Sequence, residues 1–271
     1  MGVSEKLELI GKGLYTDIPD VLTIKSIPTA SELDYAAAED FESTMLEKIF
    51  PKAIEEQIDF HKLLEIDFQW ICRALRILNY GPYYTTNAIY CTNCGEVSRG
   101  EFKVNLTTVE AKPIPQGFTN KIIIEKDEFI DFNKSITLQL PTIQEMINAM
   151  KDKLFQDASG KTHRELARMC YMIRSIGGTP VSPTDAKLMI QNQLCDADFK
   201  LLKTMVNELT DYGLRAGGRT ACPHCGDTNA SYLALVDDKF FRPTVGDLRA
   251  WRDDRNSGKA KDVSRSKTNA V

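Results

Sequence analysis

Histidine is scarce in this chain, three in 271 residues, and none of His61, His163 or His224 has a partner at metal-ligating or acid-base spacing. His61 in Asp59-Phe-His-Lys and His163 at a helix start read as surface or cap residues, because no Ser or Cys elbow accompanies either. No Gly-x-x-x-x-Gly-Lys-[Ser/Thr] occurs, and Gly11-Lys-Gly13 is too short to cradle a phosphate. The acidic pairs Asp237-Asp238 and Asp253-Asp254 are adjacent, and in a strand neighbouring side chains point to opposite faces, which is poor geometry for a dyad. These absences leave catalysis without a foothold, so the expectation is a protein that is not an enzyme. Long apolar runs are also missing: none approaches a membrane span, and Met1-Gly-Val-Ser-Glu-Lys lacks the apolar region of a secretory signal. A cytoplasmic chain with no membrane partner is expected. Positive charge is not in surplus either. A net charge of −4 and a pI near 5.6 disfavour a duplex-DNA binder, whose phosphate contacts need a concentrated basic surface.

What the chain does have is enough apolar content, 42%, to bury a substantial core in one large or two small domains. It also has two echoing stretches, Cys91-Thr-Asn-Cys94-Gly95 and Cys222-Pro-His-Cys225-Gly226. Tetrahedral Zn²⁺ takes four soft ligands, and a Cys-x-x-Cys turn aims two sulfurs at one ion. The following glycine can take a positive φ that lets backbone N–H groups approach the sulfurs. Cys91, Cys94, Cys222 and Cys225 are therefore the candidate ligands of a structural Cys₄ zinc, closed to substrate because all four positions are filled. Two other readings stand beside it. Either pair could be a redox dithiol, although such a pair sits at a helix start after a strand and only one is needed. Each pair could also belong to a separate, incomplete site. His224 lies inside the second knuckle as a spectator. Of the seven cysteines, Cys72, Cys170 and Cys195 fall in helical patterns among apolar neighbours and read as buried thiols, not a disulfide framework.

The expected architecture is α+β: small antiparallel sheets with a zinc-ribbon-like site, and a helical bundle inserted between its two knuckles. Residues 1–28 read as an extended N-terminal arm or short hairpin, with Val21-Leu22-Thr23-Ile24 as its β-rich part. In residues 29–81, Thr29-Ala-Ser-Glu32 is a capping box that opens a helix near Ala30, and Phe50-Pro51 ends it. A second helix over 67–80 carries Phe68, Ile71, Cys72, Leu75 and Leu78 on one face and stops at Gly81; Arg73 and Arg76 lie off that face as solvated charges. Residues 82–141 hold strands Tyr84–Tyr90 and Phe102–Leu106 on either side of the first knuckle, then Ile122–Ile124 and Ser135–Leu140 closing the same sheet. Residues 142–215 hold four helices: Thr142/Glu145 and Thr162/Glu165 are capping boxes, Ser182-Pro183 starts the third, Asp196 caps the fourth and Gly213 stops it. The linker 177–183 turns the chain between the second and third. Residues 216–250 hold the second knuckle and strand Ser231–Val236, and 251–271 read as a flexible tail.

The order of these features resembles a known family. Gly11-Lys-Gly-Leu-Tyr15, then Leu22-Thr-Ile-Lys-Ser-Ile-Pro-Thr29, helices, Leu75-Arg-Ile-Leu-Asn-Tyr-Gly81 and Tyr90-Cys-Thr-Asn-Cys-Gly95 are similar to the tailed-phage baseplate protein family that includes the T-even phage baseplate hub assembly protein. The likeness is clearest over residues 11–95. It implies a non-enzymatic role in building, or forming part of, a phage baseplate hub, with hub, tail-tube and tape-measure proteins as partners. The implied location is the host cytoplasm during assembly, then the virion tail baseplate. The rival function is a nucleic-acid-binding zinc-ribbon protein that uses the ribbon and the basic segment from Arg252 onward.

Overall fold

A computed structural model of the chain describes residues 4–27, 40–90, 96–108, 111–158, 160, 162–214, 219–220, 222–226, 230–231, 241 and 243–256. It is an α+β fold of helices and small antiparallel sheets. The chain begins with β1 (Ser4–Glu8) and β2 (Val21–Lys25), paired from Ser4↔Lys25 to Glu8↔Val21. Alternation explains β2, because Leu22 and Ile24 are fully buried while Val21 faces solvent. Of the two forms expected here the hairpin is the one observed, and the surface beneath it belongs to the same chain, so the extended-arm reading is corrected.

That surface is organised by α3 (Glu65–Tyr80), which follows α1 (Phe41–Thr44), a π-helical turn (Met45–Ile49) and α2 (Phe50–Ala53). The expected break at Phe50-Pro51 does not occur. Pro51 has no N–H to donate and its ring crowds the carbonyl four residues back. The π turn, in which the Phe50 N–H donates to the Met45 carbonyl, widens the helix so that it continues to Ala53. The helix start expected near Ala30 lies outside the described residues.

Helix α3 serves two cores. Phe68, Ile71, Cys72 and Leu75 pack with β2, the π turn, Tyr84, Val104 and Phe241. Leu64 and Ile66, at its start, pack with the second core described below. Asp67 sits between them with no exposed surface. The backbone N–H groups of Ile10 and Gly11 donate to its carboxylate at 2.7 and 3.1 Å, and the Tyr15 hydroxyl donates at 2.5 Å while accepting from the Leu64 N–H at 2.9 Å. A Cβ on residue 11 would lie 2.5 Å from an Asp67 oxygen, so only glycine lets the loop come this close. Burial pushes the Asp67 carboxyl above its ordinary range, and the hydrogen bonds from Tyr15, Gly11 and Ile10 pull it partly back. Burial beside this carboxylate also drives the Tyr15 phenol upward.

The arginines of α3 are not solvated charges, which corrects the sequence expectation. Arg76 is fully buried and donates to the carbonyls of Gly81 and Tyr83 at 3.0 and 2.7 Å. Burial lowers its pKa to about 10 against the raising effect of Asp247. Arg73 donates to the Leu106 carbonyl at 2.9 Å and lies over the Trp70 ring. Gly81 ends the helix with φ +80° and ψ 176°.

Strands β3 (Tyr83–Tyr90) and β4 (Val97–Asn105) form a separate hairpin, paired from Tyr83↔Asn105 to Tyr90↔Val97 with one bulge. The chain then reaches β5 (Ala111–Lys112), which pairs with the distant β10 (Gly213–Leu214). Between them lies the second core. Strands β6 (Ile122–Ile124), β7 (Ile136–Leu138), β8 (Ile173–Ile176) and β9 (Thr179–Pro180) make a sheet in that order. Helices α4 (Ile143–Lys151), α5 (Arg164–Met172), α6 (Pro183–Gln193) and α7 (Asp196–Thr210) share its core. All four expected helices are present, but two strand assignments change. β6 and β7 do not extend the knuckle hairpin, and residues 173–180, read from sequence as a helix end and a linker, are the β8–β9 hairpin.

The helix starts show which caps the sequence located. Thr142/Glu145 and Ser182/Asp185 are reciprocal capping boxes. Thr162 instead donates to the Met150 carbonyl at 3.0 Å, and α5 begins after His163 without a side-chain cap. Cys195, not Asp196, caps α7 by accepting from the Asp198 N–H, and the Asp198 side chain reaches across to the 130–132 loop. The N–H groups of Ile130, Asp131 and Phe132 donate to it at 2.6, 3.0 and 2.9 Å. Burial acts to raise the Asp198 carboxyl, but these three donors together with the Cys195 side chain outweigh it and hold the group below its ordinary range.

The chain closes with β11 (Arg219–Thr220), β12 (Ala230–Ser231) and α8 (Val245–Asn256). Six residues assigned to the flexible tail, 251–256, are thus helical, and 257–271 lie outside the described residues. α8 docks through buried Asp247, which exchanges hydrogen bonds with Thr244, accepts from Thr85 at 2.6 Å and faces Arg76 at 4.0 Å. Trp251 lies over Gly81, and a Cβ there would be 2.3 Å from its ring.

Two stability predictions result. Gly81→Ala combines a backbone region that is essentially glycine-only with a collision against Trp251, and should cost about 3 kcal/mol or more in urea unfolding. For the two buried aspartates the signs differ. Asp67, held high, supports the fold most fully below the unfolded carboxylate pKa of about 3.9, and that support fades as pH rises through the folded value. Asp198, held low, contributes above about 3.9 and loses its contribution as pH falls through its folded value. Asp67→Asn should therefore cost about 1–3 kcal/mol and remove a decline on the alkaline side of that point. Asp198→Asn should instead remove a loss on the acid side. Urea midpoints across the acid range, compared with wild type, measure both.

Candidate metal centre

The second knuckle is fully described and has the form the sequence predicts. β11 pairs with β12 through Arg219↔Ser231 and Thr220↔Ala230, so residues 221–229 connect a short hairpin with Cys222 and Cys225 inside the connection. The Gly226 N–H donates to the Cys222 carbonyl at 2.8 Å, closing the turn, and Gly226 takes φ +74°. That is the conformation expected of the glycine after a Cys-x-x-Cys pair. Cys222 is buried, whereas Cys225 and His224 are exposed. Of the strand expected over Ser231–Val236, residue 231 is described and paired; 232–236 lie outside the described residues.

The first knuckle falls between β3 and β4. Cys91 and Cys94 lie outside the described residues, but the strands that lead to and from them are paired up to Tyr90↔Val97, so residues 91–96 join their ends. β12, the strand after the second knuckle, approaches β3, the strand before the first, with Cα atoms within 8 Å. Thus two hairpins, each carrying one Cys pair in its connection, lie side by side although more than a hundred residues separate them. The Cys222–Cys225 turn, closed by its own backbone hydrogen bond, suits a pair of thiolate ligands for a structural zinc. Among the described residues, which include only half of this set, no group of three or more His, Cys, Asp or Glu side chains is placed to hold a metal.

The remaining cysteines behave as the sequence indicated, with one difference. Cys72 and Cys170 are fully buried; burial pushes the Cys72 thiol well up, and pushes that of Cys170 up to about 12 against the pull of Lys187. Such thiols are poor nucleophiles at neutral pH. Cys195 is half-buried and caps α7. His61 pairs with Gln144 at 2.6 Å.

The polar residues that sequence reasoning missed are Asp67, Arg76, Asp198 and Asp247, the buried groups that tie elements together. A signal existed for the first two, because Asp67 lies four residues before Ile71, and Arg76 four after Cys72, each on an apolar stripe. Asp198 is one turn before Leu202 in the same way. The donors around these carboxylates are mainly backbone N–H groups and hydroxyls of the chain itself, so they hold the fold. Comparison with protein-family models, curated proteins and solved structures finds no match to this chain. Among the described residues no helix is long and apolar enough to cross a membrane.

The thiols separate into classes that alkylation can read. In the native protein Cys72 and Cys170 should resist reagent throughout, whereas Cys222 and Cys225 should be modified only after a chelator is added. Peptide mass mapping would show this. Equal alkylation of exposed Cys225 with and without chelator would contradict a metal centre there.

Proposed function

We propose that this chain is a non-enzymatic component or assembly factor of a phage tail baseplate hub, stabilised by one structural zinc held by Cys91, Cys94, Cys222 and Cys225. The observation that carries the zinc part is the placement of β12 against β3, which lays the two cysteine-bearing hairpins next to one another. In this reading the helical region is an insertion between two halves of one ribbon. The pairing of β5 with β10 supports it, since the chain leaves at Lys112 and returns beside it at Gly213. A metal joining segments so far apart in sequence adds several kcal/mol to folding.

The baseplate part rests on the order of motifs over residues 11–95, and the structure gives many of those residues an architectural reason. Gly11 and Tyr15 clasp Asp67, and Asn79 accepts from the Ile27 N–H at 2.7 Å. Arg76 ties Gly81 and Tyr83, and Gly81 receives Trp251. A block whose residues build a fold is what a likeness between structural proteins would preserve. In this reading the protein works with hub, tail-tube and tape-measure proteins, first in the host cytoplasm and then at the virion baseplate. The rival zinc-ribbon reading rests on the ribbon and on the segment from Arg252 onward, of which residues 252–256 belong to α8.

Metal analysis of purified wild-type protein should find about one zinc per chain. Cys222→Ser should lose that zinc and destabilise the whole chain, not one end of it. Full metal content and unchanged unfolding in Cys222→Ser would end the shared-centre model. Quantitative mass spectrometry of purified virions tests the role: a fixed stoichiometry identifies a component, scarcity together with hub proteins in a pull-down identifies an assembly factor, and absence from both refutes the baseplate reading.

A further inference from the structure

The two most exposed large apolar side chains among the described residues are Ile130, 74% exposed, and Val245, 65% exposed. A lone apolar residue at the surface is ordinary, but Ile130 stands in a loop that is held in place from within. Phe129 and Phe132 on either side of it are buried, with their rings edge to face and centroids 5.4 Å apart. Buried Asp198 accepts from three consecutive backbone N–H groups, those of Ile130, Asp131 and Phe132. An apolar side chain is thus presented to water on a backbone that is already fixed, and such an anchor loses little conformational entropy when something covers it. Around it the exposed residues Glu125, Asp127, Glu128 and Asp131 outnumber Lys126, so the loop is acidic.

Val245 belongs to the outer face of α8. Asp247, Trp251 and Asp254 dock the inner face, against Thr85, Gly81 and Tyr83. Val245, Leu248, Arg249 and Arg252, spaced three and four residues apart, form one exposed stripe that is apolar at its start and basic towards its end. Arg252 meets Asp253 at 3.5 Å, but the two side chains are 69% and 70% exposed, and a pair of that kind contributes little.

We propose that these two surfaces are the halves of one contact between copies of this chain, in which the Ile130 loop of one copy seats against the α8 stripe of the next. Charge selects this pairing. Loop against loop would bring carboxylates together, and stripe against stripe would oppose arginines. Loop against stripe covers apolar side chains on both sides and sets Asp127 and Asp131 among guanidinium groups. Because the two surfaces differ, each copy has a loop for one neighbour and a helix for another, so assembly closes into a ring or extends as a filament. None of these residues belongs to the cysteine knuckles, and the contact needs no metal.

Sedimentation velocity of the full chain tests this, at concentrations up to about 1 mM because a contact of so few residues is of the weak class. Wild type should sediment as more than a monomer as concentration rises. Raising the salt from about 0.1 to about 1 M shortens the Debye length from about 10 to about 3 Å and should weaken the association. Ile130→Ser should weaken it about 10-fold. Reversing the loop, Asp127→Lys with Asp131→Lys, or the stripe, Arg249→Glu with Arg252→Glu, should leave a monomer. All four reversals in one chain should restore association, since a basic loop then meets an acidic stripe; urea unfolding shows that each variant is folded. Loop-to-loop or stripe-to-stripe contact would not be restored in this way. A wild-type chain that stays monomeric, Ile130→Ser that associates as tightly as wild type, or a folded fourfold variant no more associated than the twofold ones would overturn the proposal.

Discussion

The carboxylate of Asp67 is the constraint on which the rest of this fold turns. It sits in the first turn of α3, at the seam where that helix passes from one core to the other, and it collects two backbone N–H groups and the Tyr15 hydroxyl from the N-terminal loop. Apolar burial alone would let the β1–β2 hairpin slide over α3, because the hydrophobic effect is not directional. Three converging donors fix the hairpin in one position. The Tyr15 hydroxyl passes the tie on to Leu64, and Leu63 in turn accepts from the Ile143 N–H at 2.8 Å. The N-terminal loop, the start of α3 and the start of α4 are thereby joined by short polar contacts.

The same device recurs where other parts of the chain meet. Asp198 pins the 130–132 loop to α7, and Arg76 with Asp247 pins α8 to the junction between α3 and β3. Apolar contacts supply cohesion within each core, while buried charges with specific donors set how separate pieces register. A buried ion pair is a weak source of net stability, since desolvation offsets much of the attraction, but losing one partner is costly. The design favours a single arrangement over a maximally stable one. A metal uniting two knuckles would be the strongest instance of the same logic.

How much of this was legible in the sequence depended on whether the signal was local. The α+β class, the four helices after residue 142, the Thr142 capping box, the Ser182 N-cap and the β3–β4 hairpin are set by patterns a few residues long, and they are where the sequence places them. The errors arise where distant partners decide. Pro51 marks a helix end only if the turn before it stays α-helical, and the π turn removes that condition. Arg76 looks solvated until Asp247, far along the chain, is brought beside it. Residues 173–176 read as helix because their strand partner, β7, lies some forty residues earlier. The cysteine pairs were visible as motifs and one ribbon built from both was the expectation; the β5–β10 ladder by which the chain returns was not visible, because its two strands are two residues long and lie about a hundred residues apart.

That return has an evolutionary side. Lys112 and Gly213 are direct partners in one ladder, so the hundred or so residues between them start and finish at a single doorway. Material hung from such a doorway can be lengthened, trimmed or traded between lineages while the path of the host backbone stays the same, provided Leu64 and Ile66 still find an apolar surface to cover them. Relatives of this chain could then share its ends and its knuckles while carrying quite different passengers between them.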